Sequence, residues 1–123
     1  MGKFVIKQAK NEEYTFSLKA GNGQVILTAG ETFPSLDSCK NSIESVKKNA
    51  LVHVEDQTAE GYETLTHPKY ELYLDKAGEY RFRLKARNGE PIGKSEGYSA
   101  KSDALNGIES VGKNAPEGEV IEE

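Results

Sequence analysis

With 123 residues and 16 basic against 20 acidic side chains, the chain is long enough for one domain and has a net charge of −4. The acidic excess is even, two before His67 and two from there on, so neither half is a basic nucleic-acid arm. One cysteine excludes an internal disulfide, and no 18-residue apolar run offers a membrane span. The start, MGKFVIKQAKNEEY, has no apolar signal core, and Ile6 stands where N-myristoylation wants Ser or Thr, so a cytoplasmic protein is expected.

Two segments are written twice. YTFSLKAGNG at 14–23 returns as YRFRLKARNG at 80–89, and SIESVKKNA at 42–50 returns as GIESVGKNA at 107–115, with seven of ten and seven of nine positions identical. Each copy is one supersecondary unit whose apolar face its twin can cover, and about 60 residues alone would be marginal. The reading is one domain over 1–123: repeat 1 at 1–55, a connector at 56–68 and repeat 2 at 69–123.

In chain order, the first copy reaches Asn22-Gly23, a two-residue hairpin signal, and a third strand over 24–28 follows. Leu36, Cys39, Ile43, Val46 and Ala50 recur at spacings of three and four, one apolar helix stripe behind a Ser35 N-cap. Cys39 on that stripe reads as a small core residue. Asn49 fits the last turn or a left-handed cap, and 51–54 reads as a fourth strand. The connector has no clear period.

In the second copy Tyr70, Leu72 and Leu74, then Tyr80, Phe82, Leu84 and Ala86, alternate with polar residues as half-buried strands do. A three-residue loop of Lys76, Ala77 and Gly78 would set Leu74 opposite Tyr80, Leu72 opposite Phe82 and Tyr70 opposite Leu84. Asn88-Gly89 repeats the two-residue hairpin signal, and Pro91 argues that the following strand is short and at a sheet edge. Ala104, Ile108, Val111 and Ala115 repeat the helix stripe, with Ser99 as N-cap and Asn114 and Pro116 as its stop. The weaker counterpart of the fourth strand is Val120-Ile121. Each unit is strand, strand, strand, helix, strand, with a pseudo-twofold axis between units. The copies align at an offset of 66 before the loop after strand three and 65 after it.

The strings GEYRFRLKARNGE and SEGYSAKSDALNGIESVGKNA, with their first-copy partners, resemble the YegP-like family, small bacterial and archaeal proteins built from one or two copies of a domain of unknown function. The resemblance implies an α+β fold: two tandem βββαβ repeats forming one antiparallel sheet, both helices on one face, C-terminal strands exchanged between repeats. The first copy departs from the pattern, with AKNEEYTFSL in place of DKAGEYRFRL. The family supplies no catalytic or binding residues.

Two surfaces are candidates for chemistry. Alternation puts Arg81, Arg83, Lys85 and Arg87 with Tyr73 on the sheet face away from the helices, where they could track a single-stranded nucleic acid. The same register sets Glu71 opposite Arg83, Tyr73 opposite Arg81 and Glu90 opposite Arg87, and this favours a solvated face. On the helices, Glu44 with Lys48 and Glu109 with Lys113 are i,i+4 pairs. Asn41, Ser45, Asn106 and Ser110 are weak helix formers repeated in both copies away from the apolar stripe, as if something covered that flank. Gly107 beside Asn106 fits close approach of another backbone.

His53 and His67 have no partner at ligand spacing, so no metal, cofactor or catalytic residue is assigned. The expectation is a non-enzymatic interaction or scaffold protein, a monomer with an internal pseudo-dimer and an unknown protein partner. The alternatives are single-stranded nucleic-acid binding, or a small polar ligand near the pseudo-twofold groove.

Overall fold

Apolar residues at every second position decide the sheet, because pairing sets them side by side: Phe4 opposite Leu18, Ile6 opposite Phe16, Tyr70 opposite Leu84 and Leu72 opposite Phe82. All eight are buried, each worth about 1.5–3 kcal/mol of transfer free energy. The computed structural model describes residues 2–123. Its elements are β1 (Lys3–Gln8), β2 (Tyr14–Lys19), β3 (Val25–Ala29), α1 (Leu36–Asn49), β4 (Val54–Asp56), β5 (Lys69–Leu74), β6 (Tyr80–Lys85), β7 (Pro91–Lys94), α2 (Lys101–Asn114) and β8 (Glu119–Glu122).

The eight strands form one sheet in the order β4-β5-β6-β7-β3-β2-β1-β8. The last strand of each unit joins the other unit: β4 lies beside β5, and β8 beside β1. Both outer pairs run parallel and the rest antiparallel, so the sheet is mixed rather than wholly antiparallel. The exchange requires this, since a strand leaving its own helix enters the far edge alongside the partner unit's first strand. The pseudo-twofold axis passes between β3 and β7.

One sheet face carries both helices, α1 over β2 and β7 and α2 over β6 and β3. Cys39, Ile43 and Val46 from α1 and Ala104, Ile108 and Val111 from α2 complete a single core with the strands. The stacked rings Phe16–Phe33 and Phe82–Tyr98 occupy equivalent places in the two units.

Several local expectations are corrected. Asn22-Gly23 and Asn88-Gly89 end three-residue loops: Ala20 N–H donates to Gln24 O and Ala86 N–H to Glu90 O, both at 2.9 Å. Only the glycines take positive φ, +87° and +84°, while each Asn side chain accepts the N–H two residues on. Arg87 therefore belongs to a turn, and Lys85, not Arg87, pairs across from the Glu90 side of the loop, with Pro91.

β7 is short but central, between β6 and β3. Its pairing with β3 is confined to Gly93 and Lys94, so Pro91 owes that ladder no donor. Ser35 caps α1, its Oγ accepting Ser38 N–H at 3.1 Å. The N-cap of α2 is Ala100 rather than Ser99, because the offset of 65 carries Ser35 onto Ala100. The fourth strand begins at Val54, which leaves Leu51 in the turn after α1. Gly107 is approached by rings, not backbone: a Cβ there would stand 2.8 Å from Tyr98 Oη and 3.0 Å from Phe82. In the first unit Ser42 has room at the matching place because Phe33 lacks the hydroxyl.

Candidate functional site

The alternation that sends Leu72 and Phe82 to the helices sends Glu71, Tyr73, Arg81, Arg83 and Lys85 to the opposite face. Parallel pairing of β4 adds Glu55 directly beside Glu71. Two neighbouring carboxylates repel unless cations separate them. Lys69 does so, its Nζ 2.6 Å from Glu55 Oε1 and 3.4 Å from Glu71 Oε2. Arg83 Nε donates to Glu71 Oε1 at 2.5 Å, and Lys85 Nζ lies 3.6 Å from the same oxygen.

The connector closes over this cluster. Leu65 N–H donates to Glu55 Oε1 at 2.7 Å and Gln57 Nε2 to Glu55 Oε2 at 2.6 Å. Glu55, Lys69 and Glu71 are consequently only 2, 3 and 5 % exposed, so their charges survive by mutual pairing. Burial opposes ionisation of Glu55, but the bonds from Lys69, Gln57 and Leu65 outweigh it and hold its carboxyl at about 2. Burial also opposes ionisation of Glu71, and Arg83, Lys85 and Lys69 together hold its carboxyl low. Lys69 moves up, since Glu55 and Glu71 outweigh the burial that would lower it.

Beside the cluster Arg81 Nε donates to Asp75 Oδ2 at 2.6 Å and the Arg83 guanidinium lies 4.3 Å from the centre of the Tyr73 ring, while on the helix side Lys101 at the start of α2 pairs with Asp56. The geometry thus brings Tyr73, Arg81, Arg83 and Lys85 together and leaves Arg87 exposed in its turn. Most of these cations are already bonded to carboxylates.

The polar helix flank resolves into two parts. Asn49 Nδ2 donates to Ser45 O at 2.8 Å, and Asn114 Nδ2 to Ser110 O at 2.8 Å, so each Ser and Asn form a lock inside the last turns. Asn41 is exposed. Asn106 and Ser110 border a shallow hollow of about 270 Å³ with Asn22, Gln24, Tyr98 and Asp103; Asn41 and Ser45 are not among its lining. Glu44 pairs with Lys47 at 3.6 Å and Glu109 with Lys113 at 3.2 Å.

A second concavity lies between α2 and the turn that follows α1. Leu51, 79 % exposed, borders a groove of about 380 Å³ with Ala50, Val52, Tyr70, Ile108 and Gly112, and Glu109 and Lys113 stand beside it. The counterpart of Gly112 in the other unit is Lys47, whose ammonium lies 5.8 Å from the Phe4 ring. Glycine therefore opens on one side what a lysine occupies on the other.

Cys39 is fully buried, and burial pushes its thiol up, away from the reactive thiolate. His53 Nε2 is 2.8 Å from Thr66 O, where it ties down the connector, and the His67 ring packs against Gly89. Among the described residues no three of His, Cys, Asp and Glu converge as metal ligands would, and no helix is long and apolar enough to cross a membrane.

Sequence reasoning missed Glu55, Lys69 and Leu51. The one sequence signal was the change of Val5 to Glu71 while Lys3 and Lys69 stay alike; that Glu55 takes the place of Ile121 follows only from the ladders.

Two fused βββαβ units that exchange their last strands beneath a shared helical layer define a class of duplicated α+β sheet proteins. The family model described as "Domain of unknown function (DUF1508)" matches twice, at residues 9–55 and 75–122. The chain is 38 % identical over 121 residues to the "UPF0339 protein in ptx operon 5'region" of Stutzerimonas stutzeri, covering 98 % of this chain and 96 % of that one. It is 40 % identical over 114 residues to the UPF0339 protein YegP of Yersinia pestis, covering 93 % and 88 %. The solution structure of UPF0339 protein SO3888 from Shewanella oneidensis superposes with a TM-score of 0.81 at 31 % identity, covering 98 % of this chain and 90 % of that one. The chain belongs to the UPF0339 family of DUF1508 proteins, as the resemblance implied.

Proposed function

We propose that the chain is a non-enzymatic interaction module, a cytoplasmic monomer that seats an apolar side chain of a partner polypeptide in the groove between α2 and the turn that follows α1. The observation that carries this reading is Leu51, left 79 % exposed beside Ile108 and Tyr70 at the rim of a concave apolar groove. A lone exposed leucine is ordinary, but one that borders an apolar concavity is the usual anchor of a protein contact. Photo-crosslinking from position 51 tests it. A discrete adduct is expected that disappears in Gly112→Lys, which copies Lys47 into the groove, and persists in Lys7→Gln on the other sheet face. No discrete adduct, or one indifferent to Gly112→Lys, counts against the reading.

The pairing of Arg81, Arg83 and Lys85 within the chain weighs against single-stranded nucleic acid, because paired cations release few counterions from a phosphate backbone. A salt-sensitive oligonucleotide shift, lost in an Arg81→Glu/Arg83→Glu double variant, would reverse that judgement.

A second reading rests on the hollow at Asn106 and Ser110, whose polar lining suits a small polar ligand. A thermal-shift screen with wild type and Asn106→Leu tests it, and stabilisation of both proteins alike would count against it.

A further inference from the structure

The repeat provides its own internal control on the sheet face away from the helices. The offset of 66 pairs Lys3 with Lys69, Lys19 with Lys85 and Val5 with Glu71, and the places of the last strands in the sheet pair Ile121 with Glu55. The ladders agree: Lys3 stands opposite Lys19 as Lys69 stands opposite Lys85, and Val5 lies beside Ile121 as Glu71 lies beside Glu55. Like charges opposite each other on neighbouring strands repel. In the second half the Glu71 carboxylate resolves this, 3.4 Å from Lys69 Nζ and 3.6 Å from Lys85 Nζ, with Glu55 2.6 Å from Lys69.

In the first half both lysines remain and both carboxylates have become hydrocarbon. Among the described residues neither Lys3 nor Lys19 is in an ion pair, although Lys7 on the same face lies 3.8 Å from Glu123. Glu119, the ladder partner of Lys3, does not reach it. The connector roofs only the other half. Here the surface is a hollow of about 290 Å³ with half-buried Ile121 and the edge of buried Val5 beneath, Ala20, Gly21 and Gly23 to one side, Lys3 and Lys19 within reach and Glu123 also on the lining.

We propose that this hollow binds a small organic monocarboxylate, its head between the ammonium groups of Lys3 and Lys19 and its short hydrocarbon body on Val5 and Ile121. The twin cluster displays the arrangement: the Glu71 carboxylate lies within ion-pair distance of both equivalent lysines, with Glu55 closer to Lys69. Charge-assisted bonds to two ammonium groups supply the polar anchor, and the apolar floor rewards a hydrocarbon body that inorganic anions lack. Glu123, held toward Lys7, disfavours a second negative charge on the same ligand. The volume suits a molecule at the small end of the range of ligand pockets, roughly 300 Å³ upward.

Amide shifts of the whole chain titrated with sodium hexanoate at constant ionic strength test the proposal. Saturable changes are expected at Lys3, Val5, Lys19, Gly21, Gly23 and Ile121. Lys19→Gln is expected to weaken binding roughly tenfold, the usual scale for one charge-assisted bond, and Lys48→Gln, on the exposed side of α1, to leave it unchanged. Val5→Glu installs the twin's own carboxylate and is expected to abolish the titration; if that variant fails to fold, Lys19→Gln decides. Inorganic phosphate is expected to bind more weakly than hexanoate, and equal binding would overturn the role of Val5 and Ile121. Absence of saturable change, or titration unaltered in Lys19→Gln, would overturn the site.

Discussion

Between β4, β5 and β6 the outer sheet face buries Glu55, Lys69 and Glu71 as a paired cluster; between β8, β1 and β2 the equivalent places hold Ile121, Lys3 and Val5. The helix-facing side shows no such divergence, with Phe4, Ile6, Phe16 and Leu18 answered by Tyr70, Leu72, Phe82 and Leu84. The difference teaches that the helix-facing side fixes the fold while the outer side is free to become either an internal ion cluster or an apolar floor, with Val5 buried and Ile121 half-buried. The connector explains which half became which. It follows β4, and β4 enters the second half, so only there can it supply Leu65 N–H and exclude water from Glu55.

The sharpest way to break the comparison is Lys69→Met, which leaves Glu55 and Glu71 buried without their shared cation. A loss of about 3–5 kcal/mol is expected in urea unfolding, while Lys3→Met in the open half costs little. A loss equally small at both positions would mean that the cluster does not differ from its exposed counterpart.

Acid adds a second handle on the same cluster. The folded value of about 2 for Glu55 lies below its ordinary 4.5, so folding favours the ionised form. Its contribution is complete above pH 4.5 and is lost as pH falls through that interval toward 2, and Glu71 acts in the same direction. Lys69 acts at the alkaline end: its value is raised above 10.5, so its contribution is complete below 10.5 and fades only as pH passes the folded value. Urea midpoints against pH are expected to slope less on the acid side in Glu55→Gln than in wild type.

Gly107→Ser probes the helix side, where the units are most alike. Overpacking against Tyr98 Oη is expected to cost about 1–3 kcal/mol, and Tyr98→Phe in the same chain, which recreates the Phe33 and Ser42 pair, is expected to recover most of it. A double-mutant cycle with no coupling would deny that the two pairs are alternatives. The smallest effect belongs to Lys113→Ala, which removes an exposed i,i+4 partner of Glu109 and should change thermal stability by only about 0.3–0.5 kcal/mol.

Much of this architecture was legible because it is written in alternation and in helical spacing. Leu72 opposite Phe82 and Cys39 on the buried stripe of α1 follow from those periods alone. The strand exchange did not; it came from the resemblance, since no local period says which edge β4 will join. Glu55 was hidden for the same reason, as its bond to Lys69 exists only once β4 runs parallel to β5. The central place of β7 was misread because Pro91 forbids a donor, yet β3 asks for none at that point. Alternation places Arg81, Arg83 and Lys85 on the outer sheet face, where they lie, while Arg87 falls in a turn, and of the carboxylates that pair with them only Glu71 is legible from register.

The central claim is that exchanged strands make one cooperative structure of two repeats. Native-state hydrogen exchange on the full chain tests it most directly, comparing the amides of Phe16 and Leu18 with those of Phe82 and Leu84 in wild type and Lys69→Met. The account expects one shared opening free energy, lowered equally in both halves by a change made in the second. A drop confined to Phe82 and Leu84, with Phe16 and Leu18 untouched, would contradict it.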